Sequence, residues 1–98
     1  MQYEIKTTDV YDAWFDGLRD LNAARAIGKN VVKLEGGLFG NVESVGDGVS
    51  ELKVDVGAGY RVYFVTRAQV IIVLLSGGTK SRQKSDIARA KEMARDLE

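Results

Sequence analysis

The sequence predicts a single α+β domain in which two helices precede a run of strands and one further helix closes the chain. Apolar residues recur at helical spacing over residues 9–36, alternate every second residue over 42–66, and return to helical spacing after residue 80. Strands that follow one another without intervening helices are typical of the α+β class. A chain of 98 residues holds one hydrophobic core, so we expect one domain over 1–98.

A short strand and a first helix open the chain. Residues 2–7 alternate, with Tyr3 and Ile5 on one side, and predict the strand. Thr7–Asp9 then supply N-cap residues for a helix. The apolar stripe of this helix comprises Val10, Trp14, Leu18 and Leu21. We expect a short break at Leu21–Asn22 before the next helix.

The second helix is predicted to end at Gly36–Gly37, because glycine commonly terminates helices. Its apolar stripe comprises Ala24, Ile27, Val31 and Leu34. Arg25, Lys29 and Lys33 lie four residues apart and predict a basic, solvated row on the helix. The short connection predicts an antiparallel helix hairpin.

Four strands and a helix complete the prediction, with the strands near 42–46, 49–56, 60–66 and 69–76. Asp47–Gly48 and Gly57–Gly59 are turn signals between them. The strand at 49–56 alternates regularly, with Leu52, Val54 and Val56 on one side and Glu51, Lys53 and Asp55 on the polar side. The strand at 69–76 is apolar on both faces and should be covered on both, by helices or by a partner. Gly77–Gly78 should end it, and Ser81 should cap a helix that runs to Leu97.

Composition excludes several kinds of chemistry. The chain has no cysteine and no histidine, which rules out disulfides, thiolate nucleophiles and histidine bases. No apolar run approaches the roughly 20 residues of a membrane-spanning helix, and the N-terminus lacks a signal-peptide core. Net charge is zero, but residues 1–49 carry five Lys/Arg against eight Asp/Glu and residues 50–98 carry nine against six. The second half is therefore the better candidate for a phosphate-rich partner.

Basic residues of the second half are the candidate functional groups, because phosphate-loop, zinc and catalytic-triad motifs are absent. If 49–56 and 60–66 form a hairpin, Lys53, Arg61 and Tyr63 share one sheet face beside the Lys80 loop, which would suit a phosphodiester. Ordinary structural roles stay open. Arg61 could pair with Glu51 or Asp55, Lys80 and Arg82 could be solvated, and Tyr63 could be a packing residue.

Several segments, taken together and in order, carry a family resemblance. They are GLFG at 37–40, VGDGVSELK at 45–53, GAGYRVYF at 57–64, LLSGGTKSRQ at 74–83 and DIARA at 86–90. The chain resembles the HigB-like "addiction module killer protein" branch of the RelE/ParE superfamily of bacterial toxins. The family fold is a helix hairpin, a curved, mainly antiparallel sheet and a C-terminal helix, in agreement with the order β-α-α-β-β-β-β-α.

The resemblance implies a cytoplasmic toxin of a type II toxin–antitoxin system that cleaves mRNA on the ribosome without metal or cofactor. By position, Arg61 would be the transition-state arginine, with Lys80 and Lys53 as further catalytic cations. Arg82, Gln83 and Tyr63 would contact RNA. A helix-turn-helix antitoxin would be the inhibitory partner. Two other roles known on this fold remain open, a ParE-like inhibitor of DNA gyrase and a non-toxic interaction module.

The chain departs from the family pattern at some positions. Lys53 stands where the family usually has arginine, Ala58 where it has proline, and Ile87 where RelE has a tyrosine that assists catalysis. The neutral net charge also contrasts with the strongly basic character expected of such ribonucleases.

Overall fold

Five strands form one sheet with helices on both faces. The computed structural model describes residues 2–97, so Met1 and Glu98 of the predicted domain lie outside the described residues. The elements are β1 (Glu4–Thr7), α1 (Asp9–Asp16), α2 (Leu21–Glu35), β2 (Val42–Gly46), β3 (Val49–Val54), β4 (Tyr60–Arg67), β5 (Ile71–Thr79) and α3 (Gln83–Asp96). The predicted α+β class and element order are confirmed.

The sheet has the strand order β1-β5-β4-β3-β2. β1 pairs with β5 in parallel, and every other neighbouring pair is antiparallel, as the prediction of a mainly antiparallel sheet requires. The β4–β5 register shifts between Tyr63 and Phe64, where β5 accommodates one extra residue. β5 is thus an interior strand with a neighbour on each side.

Side-chain caps set the boundaries of the two N-terminal helices. The Thr8 hydroxyl accepts a hydrogen bond from the Tyr11 amide (3.1 Å) and donates one to the Leu75 carbonyl (2.6 Å), which ties α1 to β5. The Asp20 carboxylate accepts from the Ala23 amide at 3.1 Å and begins α2. The predicted break at Leu21–Asn22 is therefore wrong, because the break lies at residues 17–20 and Leu21 opens α2.

Of three other predicted boundaries, one is confirmed and two are wrong. α2 ends at Gly36–Gly37 as predicted, with Gly37 in the left-handed region (φ 87°). Ser81 does not cap α3. Its hydroxyl lies 3.0 Å from that of Thr79, and Lys80–Arg82 form a 3₁₀ turn before α3 begins. Gly77–Gly78 do not end β5, which continues through Thr79.

Two apolar clusters lie on opposite faces of the sheet. The first packs α1 and α2 against the sheet and includes Ile27, Leu34, Leu52, Val62, Phe64 and Leu74. The second packs α3 against the other face and includes Val49, Tyr63, Val65, Leu75 and Ala90. β5 contributes to both clusters, which explains why its sequence is apolar on both faces. The chain's own helices provide the covering, so this feature does not require a partner.

Candidate functional site

Strand register places the predicted cations side by side. Lys53 of β3 pairs with Arg61 of β4, and Arg61 pairs with Gly78 of β5. Both side chains project from the face that α3 covers, because they alternate with core residues of the opposite face, Leu52 and Val62. The hairpin predicted from the Gly57–Gly59 turn is therefore present, with Lys53 and Arg61 as direct neighbours.

Lys80 lies at the same end of the sheet. Its amide donates a hydrogen bond to the Gly59 carbonyl at 3.0 Å. A Cβ at Gly59 would lie 3.3 Å from the Cβ of Lys80, so the lysine stem runs along the turn that joins β3 to β4. We refer to Lys53, Arg61 and Lys80 as the cationic notch.

Arg61 is buried, with 5% of its surface exposed, and it lies among oxygen atoms. Its Nη1 donates to Asp55 Oδ1 at 3.2 Å and to the Tyr60 carbonyl at 2.9 Å, and its Nε lies 3.6 Å from Glu51 Oε1. The cross-strand ion pair left open by the sequence is thus formed with both acids. Glu51 is itself 2% exposed, so the charges of Arg61 and Glu51 compensate one another away from water.

The two lysines of the notch differ in their partners. Lys53 donates a short hydrogen bond to Glu43 on β2. This bond and the lysine charge lower the pKa of the Glu43 carboxyl below its usual value. Lys80 is exposed and forms no ion pair within residues 2–97. Lys80 is therefore the cation of the notch that an incoming phosphate would meet without displacing a carboxylate.

Glu51 is buried although it lies on the polar side of β3. α3 packs over that face, which buries Glu51, and Gln83 at the start of α3 donates from Nε2 to Glu51 Oε1 at 2.5 Å. Gln83, predicted to contact RNA, is thus held against the acid that faces Arg61. The sequence marked Glu51 as a possible partner of Arg61, but its burial depends on where α3 lies.

Tyr63 is fully buried, so its side chain is not exposed for the contact with RNA that the resemblance implies. It pairs with Glu51 on β3 and with Ser76 on β5, beneath α3. Burial, together with the nearby charges of Glu51 and Asp86, raises the pKa of its phenol well above the usual value. The packing alternative considered for this residue is the one that the structure contains.

Arg82, the remaining predicted RNA contact, is exposed in the 3₁₀ turn that precedes α3. It lines a cavity of about 240 Å³ at the edge of β5, together with Trp14, Gly77, Asp86 and Arg89. The predicted residues thus fall into three groups. These are the cationic notch, the half-buried Gln83 with the buried Tyr63, and the exposed Arg82.

Sequence reasoning missed Asp86 and the role of the double glycine. A Cβ at Gly77 would lie 2.3 Å from the Trp14 ring, and one at Gly78 would lie 1.9 Å from Asp86 Oδ2. These glycines allow α1 and α3 to approach β5 from opposite faces. The available signal was Gly-Gly inside an otherwise apolar strand, which can indicate close approach as well as a strand end.

The described residues limit the chemistry that the notch can perform. Among residues 2–97, no three Asp or Glu side chains come close enough to hold a metal ion. A separate observation is that no helix in this part of the chain is long and apolar enough to cross a membrane. The positive charges of the notch can stabilise a bound anion when that anion displaces the carboxylates now paired with Lys53 and Arg61.

Solved structures share this fold. A double arginine-to-alanine variant of the Escherichia coli toxin RelE in the free state matches with a TM-score of 0.75 at 16% identity, over 99% of this chain and 100% of that one. RelE in the intact E. coli RelBE toxin–antitoxin complex matches with a TM-score of 0.59 at 18% identity, over 79% of this chain and 95% of that one. The RelE variant bound to an antitoxin RelB peptide matches with a TM-score of 0.60 at 18% identity, over 89% of this chain and 95% of that one. At these identities the likeness establishes a RelE-like fold.

Sequence comparison establishes the family. An uncharacterized protein of Haemophilus influenzae is 43% identical over 97 residues, which cover 99% of this chain and 98% of the relative. The model of the family described as "Phage derived protein Gp49-like (DUF891)" matches residues 13–97. This match covers most of the chain and includes the cationic notch and its surrounding acids. The chain therefore belongs to the phage-derived Gp49-like family and has a RelE-like fold.

Proposed function

We propose that the chain is the toxin of a toxin–antitoxin pair and cleaves mRNA on the ribosome. The observation that carries this proposal is the convergence of Lys53, Arg61 and Lys80 at one end of a sheet whose fold matches RelE over the whole chain. The expected location is the cytoplasm, where ribosomes and mRNA are found.

The proposed reaction is attack of a ribose 2′-oxygen on the adjacent phosphorus. A P–O bond forms to the 2′-oxygen, the bond to the 5′-oxygen breaks, and a 2′,3′-cyclic phosphate and a 5′-hydroxyl result. The proton lost from the 2′-hydroxyl passes to solvent, and the leaving oxygen takes one up. Positive charge beside the phosphate oxygens lowers the barrier because negative charge accumulates there in the transition state.

The three cations would enter this reaction in different ways. Lys80 is exposed and binds a phosphate oxygen directly. Arg61 and Lys53 each release a carboxylate and bind the phosphate in its place. The carboxylates are Asp55 beside Arg61 and Glu43 beside Lys53, and their side chains can move away because they are 75% and 64% exposed. Glu51 stays in place behind Arg61 and orients it.

The proposed partner is an antitoxin, of the helix-turn-helix type expected from the resemblance. RelE has been solved with the antitoxin RelB and with a peptide of that antitoxin, and the same fold here supports an analogous pairing. The ribosome and mRNA are the proposed targets.

Substitution of Lys80 tests the function. We expect Lys80→Ala to lower mRNA cleavage by roughly 10²-fold, the usual effect of removing one donor to a developing oxyanion. Lys84→Ala is the matched control, because Lys84 is also exposed but lies on the outer side of α3. Both variants and the original chain are expressed in bacteria, and radiolabelled amino-acid incorporation and primer-extension stops within codons are measured.

Arg61 needs a variant that respects its buried setting, since alanine would leave the buried Glu51 without its counter-charge. Arg61→Lys keeps the charge but loses the planar guanidinium, so cleavage should fall while a thermal melt shows a folded protein. Cleavage stops that persist unchanged in both Lys80→Ala and Arg61→Lys would contradict the proposed chemistry.

A second candidate is a toxin that acts by binding a protein such as DNA gyrase. The enclosure of Arg61 by Glu51 and Asp55 favours it, because an arginine held in this way can serve structure alone. In that case replication stops while translation continues, and Lys80→Ala leaves toxicity unchanged.

A further inference from the structure

The outward side of α2 combines unpaired cations with exposed apolar side chains. Arg25, Lys29 and Lys33 are exposed, and none of them forms an ion pair within residues 2–97. Their spacing of four residues places them along one side of the helix. A row of three cations without an ion-pair partner leaves a local positive potential that a binding partner could neutralise.

Apolar side chains lie on the same surface. Leu21 and Val32 of α2 are 66% and 64% exposed, and Leu38, just beyond the end of α2, is 65% exposed. They are three of the four large hydrophobic residues that are exposed in the part of the chain described. Leu21 and Val32 lie four residues before and seven residues after Arg25, so they lie on the same side of the helix as this cation. We refer to the three cations and these three residues as the outer α2 surface.

A cavity adjoins one end of this surface. It has a volume of about 380 Å³, and Lys33, Leu38, Phe39 and Leu52 are among the residues that line it. Its lining combines these three apolar side chains with one cation, Lys33, and two asparagines, which suits an apolar side chain carried by an acidic segment.

The charge distribution indicates what the partner must carry. Glu35, at the very end of α2, is the one acidic residue of the helix, whereas Asp9, Asp12 and Asp16 of the same half of the chain lie on α1. We propose that the outer α2 surface binds an acidic, apolar-containing segment of a partner protein, with one apolar side chain in the cavity beside Leu38. Identification of that partner with the antitoxin rests on the proposed function, but the surface itself does not.

Two other occupants are less well matched. RNA would find cations here, but α2 has no aromatic side chain on which a base could stack, and the apolar residues would be left uncovered. A second copy of the chain could offer its acidic α1, but the large apolar side chains of that helix pack against its own sheet.

Selection of binding peptides from a random library tests the proposal without knowledge of the natural partner. Phage-displayed peptides as long as α2, 15 residues, are selected on the full chain. We expect enriched peptides to be rich in Asp and Glu with interspersed apolar residues. Their affinity should fall at least about tenfold on Lys29→Glu/Lys33→Glu and change little on Lys84→Glu/Arg95→Glu, an equal charge reversal at exposed positions of α3. Thermal melts of both variants verify folding.

Several results would overturn the proposal. One is a set of enriched peptides without acidic bias, or with equal affinity for both reversed variants. Another is binding of a single-stranded RNA that is lost only in Lys29→Glu/Lys33→Glu, which would assign the surface to nucleic acid. A doubled mass in light scattering that the same variant abolishes would assign it to a second copy. None of these assays depends on toxicity, so failure here is separable from failure of the Lys80→Ala test.

Discussion

At the scale of single residues, the site is dominated by polar atoms that α3 closes off from water. Within residues 2–97, Arg61 Nε, Tyr63 Oη, Ser76 Oγ and Asp86 Oδ2 are buried without a hydrogen-bond partner. Buried polar atoms normally have partners, and one that lacks a partner costs free energy. These four atoms therefore reduce the stability that burial beneath α3 provides.

We expect Tyr63→Phe to leave the free energy of unfolding unchanged or to raise it by up to about 1 kcal/mol, since the lost hydroxyl forms no hydrogen bond. Thr8→Ala is the contrast, because the Thr8 hydroxyl both caps α1 and binds the Leu75 carbonyl. Thr8→Ala should lower the free energy of unfolding by about 1–2 kcal/mol. Urea unfolding measures the free energy of both variants. A decrease for Tyr63→Phe as large as that for Thr8→Ala would show that the Tyr63 hydroxyl has a hydrogen-bond partner.

At the scale of elements, β5 determines how closely the helices pack. Its two glycines have neighbours that leave no room for a side chain, Trp14 of α1 on one face and Asp86 of α3 on the other. The apolar pattern of β5 predicted a strand covered on both faces, and this was correct. The pattern could not show that Gly77 and Gly78 belong to the strand, because a strand end and a close helix approach both favour glycine.

Gly77→Ala tests this close approach. The added Cβ would lie 2.3 Å from the Trp14 ring, and α1 would have to shift, at a cost of roughly 1–3 kcal/mol. Gly28→Ala is the matched control on α2, where no other atom lies within 4 Å of the new Cβ, and it should stabilise the helix by about 0.5–1 kcal/mol. Thermal or urea unfolding should show a lower free energy of unfolding for Gly77→Ala and a higher one for Gly28→Ala. A change of the same sign in both variants would contradict the packing described.

At the scale of the whole molecule, local patterns predicted the fold, whereas the state of the site depended on tertiary contacts. The order of elements followed from periodicity and turn residues, and the placement of Lys53 and Arg61 on one sheet face followed from the predicted hairpin. The burial of Glu51 could not be predicted, and packing was one of two roles left open for Tyr63, because both depend on α3 lying across the distant strands β3 and β4. An alternating strand identifies two faces but not which element covers each of them.

Burial of tyrosines on both faces of the sheet makes stability depend on alkaline pH. Burial, with a smaller effect of Asp12, raises the pKa of Tyr11 from 10.0 to about 12, and burial also raises that of Tyr63. Between about pH 10 and 12 the unfolded chain therefore binds fewer protons than the folded chain, so the free energy of unfolding should fall as the pH rises. Below pH 10 both states keep these protons, and the two phenols add no pH dependence.

The alkaline dependence can be assigned to these tyrosines by comparing urea unfolding at pH 9 and pH 11 in the original chain and in Tyr11→Phe/Tyr63→Phe. The double variant should lose less stability over this interval, because its side chains at these positions have no proton to release. Lysines that titrate in the same range are present in both proteins and cancel in the comparison. An equal loss of stability in the two proteins would mean that the fold holds neither phenol in its neutral form. The burial of Tyr11, on the sheet-facing side of α1, and of Tyr63, beneath α3, would then not be maintained in solution.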